Sequence, residues 1–142
     1  MTMKTMTYWF ATTILCVELL VGGTLDLAHN PKLVEVIRQI GYPEYVMTIL
    51  GFWKIPGAVV LLAPRFLRLK EWAYAGIFFE LTGGGASHLL SGDNPANAIV
   101  PLLFAVLTLV SWACRPQNRT LGVLLPTMKS HRAINHTSPS FN

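Results

Sequence analysis

The sequence predicts an all-α integral membrane protein, a four-helix bundle with a short interfacial helix in its first outer loop. The chain of 142 residues is 52% hydrophobic and only 13% charged, whereas about 25% of an average soluble domain is charged. Four apolar runs approach the roughly 20 residues that a helix needs to cross a hydrocarbon core of about 30 Å. These runs cover residues 8–25, 45–63, 72–90 and 96–114.

The basic residues predict the orientation of the bundle. With four spans, both termini and the loop between the second and third spans share one side of the membrane. Only Lys32 and Arg38 fall on the other side. Because short cytoplasmic loops carry an excess of Lys and Arg, we expect a multi-pass protein of the cell inner (cytoplasmic) membrane with both termini cytoplasmic. The basic residues of that side are Lys4, Arg65, Arg68, Lys70, Arg115, Arg119, Lys129 and Arg132.

The loop between the first two spans has helix signals of its own. Asn30 is a helix N-cap candidate, Pro31 suits the first helical position, and Gly41 followed by Pro43 ends the segment. Between them, apolar and polar residues alternate at helical spacing. We therefore predict a short amphipathic helix over 31–40 that lies on the outer interface.

A charged residue lies near the middle of three of the runs: Glu18, Lys54 and Glu80. A charge at that depth is costly, so it is expected to face the protein interior and to find a partner. A rise of about 1.5 Å per residue places Glu18 roughly 15 Å, Lys54 roughly 14 Å and Glu80 roughly 12 Å from the cytoplasmic end. The three charges are level, and we predict one buried intramembrane cluster in which Lys54 pairs with Glu18, Glu80 or both.

Two further polar residues follow on the same helical faces. Asp26 lies eight residues after Glu18, and His88 lies eight residues after Glu80. The same rise places them roughly 27 Å and roughly 24 Å from the cytoplasmic end. We predict that Asp26 and His88 form an outer polar pair. The acids and His88 lack the local spacing of metal ligands, and Cys16 and Cys114 form no metal or redox motif, so no metal site is predicted.

Two interpretations of the buried charges stay open. In the structural interpretation, buried polar residues fix helix register and order without performing chemistry. In the functional interpretation, two carboxylates share one ammonium, so one acid is able to hold a proton. Such a group relays protons or holds a polar headgroup.

Several short segments resemble a known family. They are GYPEY at 41–45, LGFWKIPGA at 50–58, LLAP at 61–64, LKEWAYAG at 69–76 and GASH at 85–88. Together they resemble the DoxX-like family of small four-helix membrane proteins, over about residues 7–115. The resemblance implies an integral inner-membrane protein with four spans. The family takes its name from a subunit associated with quinone-linked sulfur oxidation, and some relatives are linked to oxidative-stress systems.

The expected function follows mostly from that resemblance. The chain has no cysteine pair and no haem, flavin, phosphate-loop, nucleophile-elbow or nucleic-acid motif, so we predict no catalytic residue and no nucleic-acid partner. The resemblance implies a non-catalytic accessory subunit of a quinone-linked redox or detoxification system, with a membrane or cytoplasmic oxidoreductase as its partner. No cofactor is evident from the sequence itself, and a quinone stays open as one. Homo-oligomerisation stays open. The alternative is a small proton-coupled transporter of a lipophilic or cationic compound that uses Glu18 and Glu80.

The chain divides into two predicted regions. Residues 1–115 form the four-span membrane domain, which places the lipid bilayer among its partners. Residues 116–142 mix Ser, Thr, Asn, His and Pro with scattered bases and have no sustained apolar period. That composition predicts a disordered basic cytoplasmic tail.

Overall fold

The computed structural model describes residues 1–122, and this part of the chain contains helices and no strand. Five α-helices follow one another, with a 3₁₀ helix before the last of them and another after it. The predicted disordered tail falls mainly on residues 123–142, which lie outside the described residues. The helices are α1 (Met3–Leu27), α2 (Pro31–Gln39), α3 (Tyr45–Leu62), α4 (Leu67–Leu90) and α5 (Ile99–Ala113), and the 3₁₀ helices are Pro95–Ala98 and Gln117–Arg119.

The short helix α2 occupies the loop where the sequence predicts a helix over 31–40. The side chain of Asn30 accepts a hydrogen bond from the backbone N–H of Lys32 at 3.1 Å, and Pro31 takes the first helical position. Gly41 follows the helix with a φ of +88°, a left-handed conformation that glycine adopts without strain. The cap and stop signals therefore set the bounds of α2.

Three helical segments within residues 1–122 are long and apolar enough to cross a membrane: Met3–Leu27, Tyr45–Leu62 and Pro95–Ala113. They correspond to three of the four predicted runs, two of which end one residue beyond the observed helix. The remaining run, 72–90, lies within α4, which has 24 residues. This helix is less apolar because Glu80, three consecutive glycines and His88 interrupt it.

The outward faces of the long helices carry large apolar side chains. Phe10 on α1 is 69% exposed, Phe79 on α4 is 70% exposed and Leu103 on α5 is 63% exposed. Monomeric soluble proteins rarely expose contiguous apolar patches larger than a few hundred Å². These surfaces and the three apolar segments indicate that the protein resides in a membrane.

The bundle is tightest between α1 and α3 and between α4 and α5, and α1 also packs against α5. The contact between α3 and α4 is smaller. A buried hydroxyl node joins three helices, because Ser111 Oγ lies 2.8 Å from Thr12 Oγ1 and 2.8 Å from Tyr74 OH. This node and the apolar side chains around Leu19 and Leu61 form the core.

Buried basic side chains close the end of the bundle where α3 finishes. Lys70 Nζ donates to the carbonyl oxygens of Val60 at 2.6 Å and Leu61 at 2.7 Å. Arg119 donates to the carbonyl of Leu61 and to Tyr8 OH, each at 3.2 Å. These bonds satisfy the last carbonyls of α3, which have no partner within the helix. We call this the basic end of the bundle.

The contact between α1 and α3 depends on a glycine. A Cβ at Gly51 would lie 2.7 Å from the carbonyl oxygen of Gly23 and 2.8 Å from Leu27 Cγ. Real Cβ atoms do not approach a backbone oxygen so closely. Gly51 therefore sets the separation of α1, which carries Glu18 and Asp26, from α3, which carries Lys54.

We predict that Gly51→Ala destabilises the bundle, because the added methyl group forces α1 and α3 apart. Overpacking of this kind costs about 1–3 kcal/mol, which thermal unfolding in detergent, followed by circular dichroism, would detect. Gly57→Ala is the matched control on the same helix, because a Cβ at Gly57 meets nothing within 4 Å. Equal melting temperatures for the two variants would contradict this account of the α1–α3 contact.

Candidate functional site

Four ionisable side chains from three helices meet inside the bundle, with Lys54 at their centre. Lys54 Nζ lies 2.9 Å from Asp26 Oδ2, 3.2 Å from Glu80 Oε1 and 3.8 Å from Glu18 Oε1. Asp26 and Glu18 belong to α1, Lys54 to α3 and Glu80 to α4. We call these four residues the Lys54 cluster. It brings together the three predicted charges and adds Asp26.

Glycines on α1 make room for the lysine side chain. Glu18 and Asp26 are separated by two helical turns, about 12 Å along the axis, and Gly22 lies midway between them. A Cβ at Gly22 would lie 3.1 Å from Glu18 Oε1 and 3.4 Å from Lys54 Nζ. The missing side chain at this position therefore leaves room for the ammonium of Lys54 between the two acids.

The cluster is largely shielded from solvent and contains more acids than bases. Side-chain exposure is 12% for Lys54, 9% for Asp26, 20% for Glu18 and 23% for Glu80. Three carboxylates therefore share one ammonium. In addition, Glu18 Oε2 is buried and has no hydrogen-bond partner within residues 1–122. The cluster keeps an unused acceptor in a place where buried polar atoms are normally paired.

The two residues of the predicted outer pair each bond to another partner. Asp26 accepts from Lys54, as described above, whereas His88 Nδ1 lies 2.7 Å from Asp93 Oδ2. The side-chain amide of Asn97 also donates to Asp93 Oδ2, at 2.9 Å. His88 therefore belongs to a small polar network at the turn between α4 and α5, and Asp26 belongs to the Lys54 cluster.

The turn between α4 and α5 stabilises the charged form of Asp93. Hydrogen bonds from the Asn97 amide, from His88 and from the backbone N–H of Asn94 hold the pKa of the Asp93 carboxyl below its usual range. The contribution of these bonds to stability is therefore complete above the ordinary carboxyl pKa. It is lost as the pH falls through the lower pKa of the folded state.

Two cavities on the outer surface of the bundle reach the Lys54 cluster. The first lies between α3 and α4, has a volume of about 460 Å³ and includes Lys54 and Glu80 in its lining. We call it the α3–α4 cavity. The second has a volume of about 580 Å³ and includes Glu18, Asp26 and Lys54, with Leu33 of α2 and Phe104 of α5. We call this one the α1–α5 cavity.

The cluster therefore forms a wall between two cavities. Lys54 lines both of them, whereas Glu80 lines only the α3–α4 cavity and Glu18 only the α1–α5 cavity. Most of the other lining residues are apolar. This arrangement places an ammonium donor and carboxylate acceptors in the walls of two largely apolar cavities.

Sequence reasoning missed three features of the site. The place of Asp26 was missed because a depth counted along a helix ignores the reach of a lysine side chain. The bond between His88 and Asp93 was also not predicted, although the position of both residues beside one turn was a local indication of it. The burial of Lys70 was also missed, because a basic residue beside a span is ordinarily counted as exposed.

We predict that Lys54→Met reduces the folded yield strongly, because it leaves three buried carboxylates without a cation. Breaking a buried ion pair by removing one partner costs about 3–5 kcal/mol. Asp26→Asn should cost less, since Lys54 keeps Glu18 and Glu80. The double variant Lys54→Met with Glu80→Gln should recover part of the yield. Size-exclusion chromatography of fluorescently tagged protein would compare the variants, and a harmless Lys54→Met would refute the role of the ammonium.

The fold and the site define a helical membrane protein with ionisable residues buried in its bundle. The family model described as the DoxX-like family matches residues 10–111, which is more than two thirds of the chain. The chain belongs to the DoxX-like family. No solved structure matches it.

Two relatives are similar in sequence, and both carry the name "Uncharacterized protein". One, from Haemophilus influenzae, is 28% identical over 119 residues, which cover 82% of this chain and 22% of the relative. The other, YdgD of Bacillus subtilis, is 32% identical over 74 residues, which cover 52% of this chain and 64% of the relative. The chain thus spans less than two thirds of the length of each relative.

Proposed function

We propose that the chain is a four-span module of the cell inner membrane and a non-catalytic accessory subunit of a quinone-linked redox or detoxification system. The observation that carries the proposal is the Lys54 cluster, with a Glu18 oxygen that has no hydrogen-bond partner among residues 1–122 and with a cavity on each side. Ionisable residues inside a membrane bundle cost free energy and are rare. Those that do occur commonly mark the pathway of a substrate, an ion or a proton. The cluster is therefore the part of the chain on which a function rests.

The proposed placement makes α4 the fourth span and α2 an interfacial helix. With 24 residues, α4 is about 36 Å long at about 1.5 Å per residue, and its partner in the bundle is the apolar α5. The apolar side chains Leu33, Val34 and Ile37 of α2 are half-buried, whereas its charged side chains are exposed. The basic end faces the cytoplasm, as the excess of Lys and Arg there favours.

The accessory role is supported by the way similar segments occur in other chains. The segment of the Haemophilus influenzae protein that matches this chain makes up only 22% of that protein. A module of this kind thus occurs as part of a protein that is more than three times as long as this chain. In that relative, other protein segments accompany the matching module. For this chain, the proposal is that a separate oxidoreductase in the membrane or cytoplasm takes the place of those segments.

The α1–α5 cavity fits the chemistry of a quinone and its quinol. Lys54 offers an ammonium donor to a quinone carbonyl, and the Glu18 carboxylate, which lines the same cavity, offers an acceptor to a quinol hydroxyl. The exposed apolar side chains of Val17 and Val21 line the cavity and suit a ring and a tail that enter from lipid. A bound quinone supplies a two-electron carrier, and this chain's own residues bind and orient it.

The proton-coupled transporter stays the second candidate. It is favoured by one observation, that Lys54 lines both cavities while Glu18 and Glu80 each line one. A carboxylate on either side of one ammonium is suited to exchange of a proton or a cation across the cluster. Proton flux into liposomes that contain the purified protein alone would favour the transporter over the accessory subunit.

We predict that the basic end lies in the cytoplasm. Alkaline phosphatase fused to the C-terminus should be inactive, because the enzyme folds only outside the cytoplasm. The same enzyme fused after Ser91, at the turn between α4 and α5, should be active. Immunoblotting would show that both fusions are expressed, and the reverse pattern of activity would overturn the orientation.

We also predict that the native protein purifies with an oxidoreductase and a bound quinone. Val21→Trp, which fills the α1–α5 cavity, should reduce the extracted quinone at least fivefold and retain the partner. Val59→Trp is the matched control, because Val59 is similarly exposed, at 59% against 55% for Val21, and lines neither cavity. Mass spectrometry and quinone extraction provide the measurement. Turnover of a substrate by the purified chain, without partner or added cofactor, would contradict the accessory role.

A further inference from the structure

We propose that the α3–α4 cavity is a binding site for a lipophilic organic cation, a molecule whose positive charge is surrounded by apolar groups. This cavity is on the other side of the Lys54 cluster from the cavity proposed for a quinone. The inference rests on the membrane placement proposed above and is independent of the accessory role. It follows from the shape, the aromatic lining and the charge of the cavity.

The shape of the cavity comes from small residues that face open space. A Cβ added at Gly57 of α3 or at Gly76 of α4 meets nothing within 4 Å, although both glycines line the cavity. They differ from Gly51, whose missing side chain allows two helices to touch. The two glycines instead leave a volume of about 460 Å³ where α3 and α4 are in limited contact.

Two tryptophans supply the aromatic part of the lining. Trp53 on α3 is 67% exposed and Trp72 on α4 is 79% exposed, and both line the cavity. The face of an indole ring attracts cations more strongly than any other side-chain ring does. The remaining walls, such as Val60 and Ile77, are apolar. A cation with apolar substituents therefore finds both an apolar wall and a favourable ring surface.

The charge of the cavity favours a cation over an anion. Glu80 and Lys54 both line it, yet the Lys54 ammonium is already held by Asp26 at 2.9 Å and by Glu80 at 3.2 Å. The cluster as a whole has three carboxyl groups and one ammonium, so its surplus charge is negative when the carboxyl groups are ionised. Coulomb forces are strong in a site with little water. An anionic occupant would meet this negative surplus, whereas a cationic occupant reduces it.

The test uses a pair of probes with the same shape and opposite charge. Tetraphenylphosphonium is a lipophilic cation, and tetraphenylborate is its anionic counterpart. The purified full chain in lipid nanodiscs should bind one equivalent of tetraphenylphosphonium in equilibrium dialysis, with empty nanodiscs as the reference for partitioning. Tetraphenylborate should bind at least tenfold more weakly. Equal binding of the two probes, or no binding of the cation above the reference, would overturn the proposal.

Substitutions on α4 locate the site. Gly76→Leu places a side chain in the cavity at a position where a Cβ meets nothing within 4 Å, and it should weaken cation binding at least tenfold. Gly83→Leu is the matched control, because Gly83 also faces open space but does not line the cavity, and it should change binding less than twofold. Glu80→Gln should also weaken binding at least tenfold, and Lys54 keeps two carboxylates in that variant. Unchanged binding in Gly76→Leu would place the cation elsewhere and overturn the proposal.

Fold and function remain separable in this experiment. The melting temperature of each variant in detergent reports whether the bundle has formed, and only variants that melt within a few degrees of the wild type are compared. Loss of cation binding in Gly76→Leu with retained quinone and partner supports two separate sites. If the purified wild-type protein carries neither a quinone nor a partner but still binds the cation, the accessory role is refuted and this inference stands.

Discussion

The ammonium of Lys54 is the constraint on which the bundle depends. Removing a charged amine from water is so unfavourable that it is retained only with partners close by. Those partners come from α1 and α4, since Asp26, Glu18 and Glu80 all lie within 4 Å of Lys54 Nζ. The cluster therefore fixes the positions of three helices relative to one another, and it does so more specifically than the apolar contacts around it, because it requires a defined register.

Glycines give the bundle its asymmetry, and they act in two opposite ways. At Gly51, and opposite it at Gly23, the missing side chains allow α1 and α3 to touch. At Gly57 and Gly76 the missing side chains face open space, so α3 and α4 are separated by a cavity. One helix, α3, thus has a tight face and an open face, and Lys54 lies where the two faces meet. The access of small molecules to the cluster follows from this difference.

Much of the architecture was predictable from the sequence, because hydrophobic length and cap residues act locally. The runs 8–25 and 72–90 fall within observed helices, and the other two runs and the helix over 31–40 extend only one residue past theirs. Lys54 lies beside both predicted acids. Contacts that depend on the reach of a long side chain could not be predicted from the sequence. Helical rise places Asp26 a considerable distance above Lys54, yet the long lysine side chain and the absence of a side chain at Gly22 bring their charged atoms to 2.9 Å.

The composition of the cluster bears on whether its role is structural or functional. A buried charge without an opposite partner raises the free energy of the folded state. Here one ammonium faces three carboxyl groups, and one oxygen of Glu18 is buried without a hydrogen-bond partner in the described part of the chain. The functions proposed above give the surplus acids an exchangeable partner, such as a proton, a hydroxyl donor or a cation, and the two adjoining cavities reach the cluster from either side.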